Sequence, residues 1–226
     1  MMKTRIIIPT YNEAENIMPL VTELLRVTPV DARMLVVDDN SPDGTGDIVR
    51  RFAQGEPRVS LMTRPGKMGL GTAYQQAFRR VLDEGGDECI VTMDADFSHN
   101  PRYVSELIEQ CRSHDLVVGS RYIPGGRVEN SELWRRTLSW CGYLYVRLIT
   151  GSPIHDCTAG FSAMRVEFLR RVPFERIQAS GYAWWFTLRM MFSRRGARIA
   201  EIPIVFTDRR LGQSKISTNI IYEGLI

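Results

Sequence analysis

The chain has 226 residues, 44% of them hydrophobic, enough to bury a full core as one large domain. A formal net charge of +3 is too mild to argue for a nucleic-acid partner, and the composition is not that of a disordered chain. The cysteines, Cys89, Cys111, Cys141 and Cys157, form no Cys-x-x-Cys pair, and the histidines, His99, His114 and His155, lie far apart. Neither a disulfide framework nor a local zinc motif is expected, and a reduced compartment suits the thiols. Only three isoleucines follow Met1-Met2-Lys3-Thr4-Arg5 before Pro9, so no signal peptide is expected. Nor does any uncharged stretch reach the roughly 17–25 residues of a bilayer-crossing helix.

Ile6-Ile7-Ile8 reads as a short buried strand, and Ile17, Leu20, Val21, Leu24 and Leu25 then fall at helical spacing. Pro9-Thr10-Tyr11-Asn12-Glu13 joins the two. Met34 to Val37 forms a second strand that ends in Asp38-Asp39, before the turn residues Asn40-Ser41-Pro42-Asp43-Gly44. A helix from Thr45 to Gln54 and a strand from Val59 to Met62 follow. The basic loop Arg64-Pro65-Gly66-Lys67-Met68-Gly69-Leu70-Gly71 then leads into a helix carrying Ala73, Ala77, Val81 and Leu82. Its glycines serve either a turn or a phosphate cradle. The central strand starts at Cys89 and ends in Asp94-Ala95-Asp96. The next helix has Pro101 in its first turn and Val104, Leu107, Ile108 and Cys111 on its inner face. Leu116 to Gly119 is the fifth strand. This alternation predicts an α/β fold with right-handed crossovers and a mainly parallel sheet flanked by helices.

Acids at the ends of the second and fourth strands point to chemistry, because open α/β sheets bind ligands outside the carboxyl ends of their strands. Asp94 and Asp96 repel each other unless a cation or a shared proton relieves the charge, and oxygen-only ligands favour Mg2+ or Mn2+ over zinc. Taken alone, Asp-x-Asp also fits a solvated acidic turn. With Asp39 placed to accept hydrogen bonds from a base or ribose, the two ends together describe a nucleotide-sugar cleft. No Gly-x-Gly-x-x-Gly follows the first strand and no Walker-type loop is present.

The second half is aromatic. From Leu133 to Ile149, Trp134, Leu138, Cys141, Tyr145 and Leu148 mark one helical face, beside Arg135, Arg136 and Arg147. That pattern suits a membrane headgroup interface; a helix buried against the sheet and a dimer contact are the alternatives. The cluster Tyr182, Trp184, Trp185, Phe186, Leu188, Met190, Met191 and Phe192 reads as core. Beyond Lys215, Ile216, Ile220, Ile221, Leu225 and Ile226 could form a further amphipathic surface.

Seven ordered motifs carry a resemblance: Pro9 to Glu13, Asp38 to Thr45, Lys67 to Tyr74, Met93 to His99, Gly119-Ser120-Arg121-Tyr122, Asp156 to Phe161 and Pro203 to Lys215. The chain resembles the dolichol-phosphate mannose synthase family of polyprenol-phosphate glycosyltransferases. The resemblance implies one Rossmann-like transferase domain over 1–226, with a nucleotide-sugar half at 1–121 and an acceptor half at 122–226, the latter with an amphipathic interface helix at about 132–150. It implies a metal-dependent, inverting transfer of mannose from GDP-mannose to a polyprenyl phosphate, with Mg2+ or Mn2+ as cofactor. Glucose from UDP-glucose is the nearest substitute, and a soluble glycosyltransferase acting on a hydroxyl, or a non-catalytic nucleotide-binding protein, is a further alternative.

By the same resemblance Pro9, Tyr11, Glu13, Val37 and Asp39 line the nucleotide pocket. Asp94, Ala95 and Asp96 hold the metal and diphosphate. Ser98 stands where some members place a Gln ligand. Arg121, Arg209 and Lys215 contact phosphates, and Arg135 and Ser139 bind the acceptor phosphate. Relatives commonly carry Phe-Gln at the positions of Trp184 and Trp185 and Glu at that of Thr187, a departure bearing on the donor sugar. Catalysis is expected to rest on Asp94, Asp96, Arg121 and Arg209 with no obligatory base. The expected setting is peripheral, at the cytoplasmic face of a membrane, with room for small membrane subunits.

Overall fold

Each apolar run of the first half becomes a strand or the inner face of a helix. In the computed structural model, which describes residues 2–129, 153–179 and 181–207, β1 (Thr4–Thr10), α1 (Ala14–Val27), β2 (Ala32–Asp38), α2 (Thr45–Ala53), β3 (Val59–Thr63), α3 (Leu70–Glu84) and β4 (Cys89–Thr92) follow in order. A single 3-10 turn at Pro101–Tyr103 opens α4 (Val104–Gln110), and β5 (Leu116–Ser120) and β6 (Arg127–Glu129) complete the first half. The second half contributes β7 (Ser162–Arg165), α5 (Val166–Leu169), α6 (Gly181–Arg194), β8 (Ile199–Pro203) and β9 (Val205–Thr207).

The main sheet has the strand order β3-β2-β1-β4-β7-β5-β8. β1 pairs in parallel with β2 and β4, β2 with β3, and β5 with β8. Side chains alternate along each strand, and both faces are buried because helices cover both. α1, α2 and α4 close over Ile6, Ile8, Met34 and Val36, while α3, α5 and α6 close over Ile7, Leu35 and Val37.

One strand departs from the sequence reading. β7 lies between β4 and β5 and runs antiparallel to both, with Thr92 opposite Ser162 and Cys89 opposite Arg165. Its reversed direction places its start, rather than its end, at the carboxyl edge of β4. The segment Pro153 to Phe161 is thereby delivered beside Asp94. The sheet also draws β7 and β8 from the second half, so the two halves share one framework.

Candidate active site

At the carboxyl edge of β1 and β2 the loops are stitched to each other. Asp38 accepts hydrogen bonds from Thr10 Oγ1 (2.9 Å), the Ser41 amide (3.0 Å) and Ser41 Oγ (2.6 Å). Ser41 Oγ in turn accepts the Asn12 amide at 3.0 Å, and Thr45 Oγ1 accepts the Glu13 amide at 3.0 Å. Asp43 takes the Ala14 and Thr45 amides, both at 3.0 Å. Asn12, Asn40 and Phe97, which follow β1, β2 and β4, all have positive φ (56°, 53° and 62°). Among the described residues, strain in non-glycine residues is thus gathered along this one edge, a common property of functional sites.

Of the residues expected to line the nucleotide pocket, Pro9 is half-buried and stands opposite Val37 in the β1–β2 register. Tyr11 is half-buried, with Lys67 Nζ 5.0 Å from its ring centroid. Glu13 is buried and accepts Asn16 Nδ2 at 2.8 Å. Asp39 faces the buried Arg64, whose Nη1 lies 2.9 Å from its Oδ1. Burial pushes the Asp39 carboxyl up, and Arg64 and the Met68 amide offset this only in part. Val37, next to Asp38 at the end of β2, has its side chain wholly enclosed in the core beneath α3, as the continuous apolar run of a doubly covered strand dictates.

Arg64 also donates to Thr72 Oγ1 (2.6 Å) and the Gly69 carbonyl (3.4 Å), so the Arg64–Gly71 loop is folded back onto Asp39. Nothing local in the sequence announced this pairing across 25 residues. The signal was a basic residue directly after a strand neighbouring the acid.

At the end of β4, Asp94 keeps 39% of its side chain exposed, while Ala95 and Asp96 are buried. Ser98 donates to Asp96 Oδ1 from both its amide (3.1 Å) and its hydroxyl (2.6 Å). The Ser98 hydroxyl thus holds Asp96 in place, because a buried carboxylate two residues away is the nearest strong acceptor. Among the described residues no group of three or more His, Cys, Asp and Glu side chains gathers as a metal cluster. Two carboxylates fit a hard cation such as Mg2+ or Mn2+, which takes its remaining ligands from water and substrate phosphates.

Arg121 follows β5 and reaches toward β4. Its Nε and Nη2 grip Asp156 Oδ2 and Oδ1 at 2.7 and 2.8 Å, and Nη2 also donates to Thr158 Oγ1 at 3.1 Å. The rings of Tyr122 and Phe206 flank the guanidinium at 5.1 and 5.4 Å. Asp156 is fully buried; burial alone would raise its carboxyl, but Arg121 outweighs that and holds it below the usual range. Glu201 on β8 accepts the backbone amides of His155 (2.8 Å) and Asp156 (3.0 Å). The sequence named Arg121 and quoted Asp156 within a motif, but their pairing spans 35 residues and needs the reversed β7.

Beneath Asp94 lies an aromatic floor. Trp184 and Trp185 are buried and meet edge to face at 4.8 Å, and Tyr74 packs on both at 5.8 and 4.7 Å. The reading of this cluster as core holds for Trp184, Trp185, Leu188 and Phe192. A Cβ on Gly71 would come 2.6 Å from Trp184 Cδ1, so glycine permits α3 to approach. Arg189 is buried beneath Trp185 and donates to the Cys157 and Ala159 carbonyls; burial lowers its guanidinium to about 10, with Asp156 opposing. Arg135, Ser139, Arg209 and Lys215, and the helix expected at about 132–150, lie outside the described residues. No helix among the described residues is long and apolar enough to cross a membrane.

A largely parallel sheet with an Asp-x-Asp at one strand end, a second acid two strands away and a basic loop folded onto it defines a nucleotide-sugar transferase of the GT-A type. The chain belongs to glycosyl transferase family 2, whose model matches residues 5–172. It is 43% identical over 225 residues to the undecaprenyl-phosphate mannosyltransferase of Micrococcus luteus, spanning 100% of this chain and 92% of that protein. It is 41% identical to the polyprenol monophosphomannose synthase of Mycolicibacterium smegmatis, over 99% of this chain and 84% of the relative. Among solved structures it resembles glucosyl-3-phosphoglycerate synthase from Mycobacterium tuberculosis in complex with Mn2+, UDP-glucose and phosphoglyceric acid. The TM-score is 0.69 over 99% of this chain and 79% of that one, at 21% identity, a likeness of fold.

Proposed function

We propose that this chain transfers mannose from GDP-mannose to a polyprenyl phosphate and acts as one catalytic domain at the cytoplasmic face of a membrane. The observation that carries the reading is identity above 40% along the whole chain with two polyprenyl-phosphate mannose transferases. The site agrees with it. Asp94 and Asp96 would hold Mg2+ or Mn2+, which when bound neutralises a diphosphate and stabilises it as a leaving group. The acceptor is already an anion near neutral pH, so its oxygen attacks the anomeric carbon without losing a proton. The new C1–O bond forms on the face opposite the departing GDP, giving inversion. Catalysis then asks the protein for positioning and for cations. Arg121, pinned by Asp156, is oriented in advance for a phosphate. His99 has its Nδ1 committed to the Asp94 amide and serves no base role.

The test is transfer of labelled sugar into organic-extractable lipid, with GDP-mannose and UDP-glucose offered in parallel to polyprenyl phosphate and Mn2+. Label from GDP-mannose that is lost on chelation is the expected result. Label from UDP-glucose alone would move the protein to a glucosyl transfer, and label from neither would refute the lipid-phosphate reading. Flotation with acceptor-free liposomes checks the peripheral membrane contact separately.

A further inference from the structure

We propose that His99 is a positioning residue that latches the Asp94–His99 loop in the one conformation presenting both carboxylates. The inference rests on the reading that Asp94 and Asp96 hold the cation. β4 ends at Thr92, and the Met93 amide still donates to the Ile7 carbonyl at 3.2 Å. The next amide, that of Asp94, leaves the sheet and donates to His99 Nδ1 at 3.0 Å. An Nδ1 that accepts carries no proton, so the neutral ring keeps its hydrogen on Nε2.

The imidazole cannot turn away from this bond. It is 3% exposed and lies flat on Phe161 at 4.9 Å and 10°, with Phe206 against it at 5.8 Å. On a third side the backbone of Gly160 closes in; a Cβ there would come within 3.3 Å of His99 Cε1 and 3.7 Å of Asp94 Oδ1. Gly160 is itself fixed, its carbonyl accepting Thr92 Oγ1 at 2.7 Å.

The loop so closed is strained. Phe97 sits at φ 62°, a left-handed conformation that a bulky residue adopts only when its surroundings enforce it. Within the loop Ser98 clamps Asp96 through two hydrogen bonds. One bond at the mouth, from Asp94 to His99, and one clamp at the middle, from Ser98 to Asp96, therefore set the two carboxylates relative to each other. Removing the acceptor at 99 lets Phe97 relax, and the carboxylates part.

A latch differs from a core-filling ring in which substitution it tolerates. His99→Asn keeps an acceptor at the reach of Nδ1 and loses the ring. His99→Gln places the same amide one methylene further out, and His99→Phe keeps the stack on Phe161 without an acceptor. Two readouts apply: amide exchange of the 92–99 segment by mass spectrometry, and Mn2+ affinity in the presence of GDP. H99N should stay within about threefold of wild type in both, while H99Q and H99F should exchange faster and bind Mn2+ more weakly by about tenfold, the scale of one hydrogen bond.

A retained ring mattering more than a retained acceptor, H99F milder than H99N, would overturn the latch. So would equal behaviour of H99N and H99Q, which share an amide and any folding cost it brings. A wild-type protein indifferent to Mn2+ would instead refute the metal reading itself, and the exchange comparison would still decide whether His99 latches the loop.

Discussion

β2 and β4 both end in acids, and the protein uses them in opposite ways. At β2, Asp38 is buried and saturated by Thr10 and Ser41, with α2 so close that a Cβ on Gly46 would lie 2.9 Å from its Oδ2. Its neighbour Asp39 faces Arg64. At β4, Asp96 is held by Ser98, but Asp94 stands at the surface with 39% of its side chain exposed. Asp38 is enclosed and braced by Thr10 and Ser41, while Asp94 keeps part of its carboxylate at the surface, where it can meet a ligand. Topological position alone does not separate the two; what the neighbouring loops donate does.

The comparison is broken most directly at its catalytic side. Asp96→Ala should lower turnover by about three orders of magnitude or more, the several kcal/mol that a bound cation supplies in the transition state. Initial rates at saturating Mn2+ with melting curves on the same samples check this, and near-normal turnover in chelator would remove Asp96 from the site. Next comes Asp156→Ala, which strips Arg121 of its buried partner and should cost about 3–5 kcal/mol of stability, read by urea unfolding. The same pair predicts an acid limb. The folded carboxyl of Asp156 lies below its unfolded value of about 3.9. Its contribution is therefore complete above that value and is lost as pH falls through the folded one. Wild type should lose more stability than Asp156→Asn on going from pH 5 to pH 3; parallel curves would sink the assignment.

Asp38→Ala belongs to the architectural side. It leaves Thr10 and Ser41 donors without their acceptor and should cost about 2–3 kcal/mol of stability with the Mn2+ requirement unaltered. A changed Mn2+ requirement would mean that both strand ends serve the cation.

Much of this was legible because it is local. Apolar runs such as Ile6-Ile7-Ile8 and Met34 to Val37 became strands, and the acids directly after them mark the site. What escaped was pairing at a distance. Ser162-Ala163-Met164-Arg165 lacks the β-branched run that announces a strand, and only its insertion between β4 and β5 makes it one. Without β7, the grip of Asp156 on Arg121 and the closeness of Gly160 to Asp94 have no cause in the sequence. His99 was quoted within a motif but given no role, because its partner is a backbone amide.

The finest test of the comparison uses two serines that do the same thing to different acids. Ser41 Oγ donates to Asp38 Oδ1 and Ser98 Oγ donates to Asp96 Oδ1, both at 2.6 Å. Each serine to alanine change removes one short hydrogen bond and should cost about 0.5–1.5 kcal/mol of stability. The functional readouts should diverge. Ser41 also accepts the Asn12 amide, so Ser41→Ala should loosen the Tyr11–Glu13 loop and raise KM for the nucleotide donor a few-fold at constant kcat. Ser98→Ala should shift the Mn2+ dependence, because the acid it frees is the one assigned to the cation. If both variants moved only the donor KM, Asp96 would be serving the nucleotide as Asp38 serves its loop. The exposure of Asp94 would then be the sole distinction between the two strand ends.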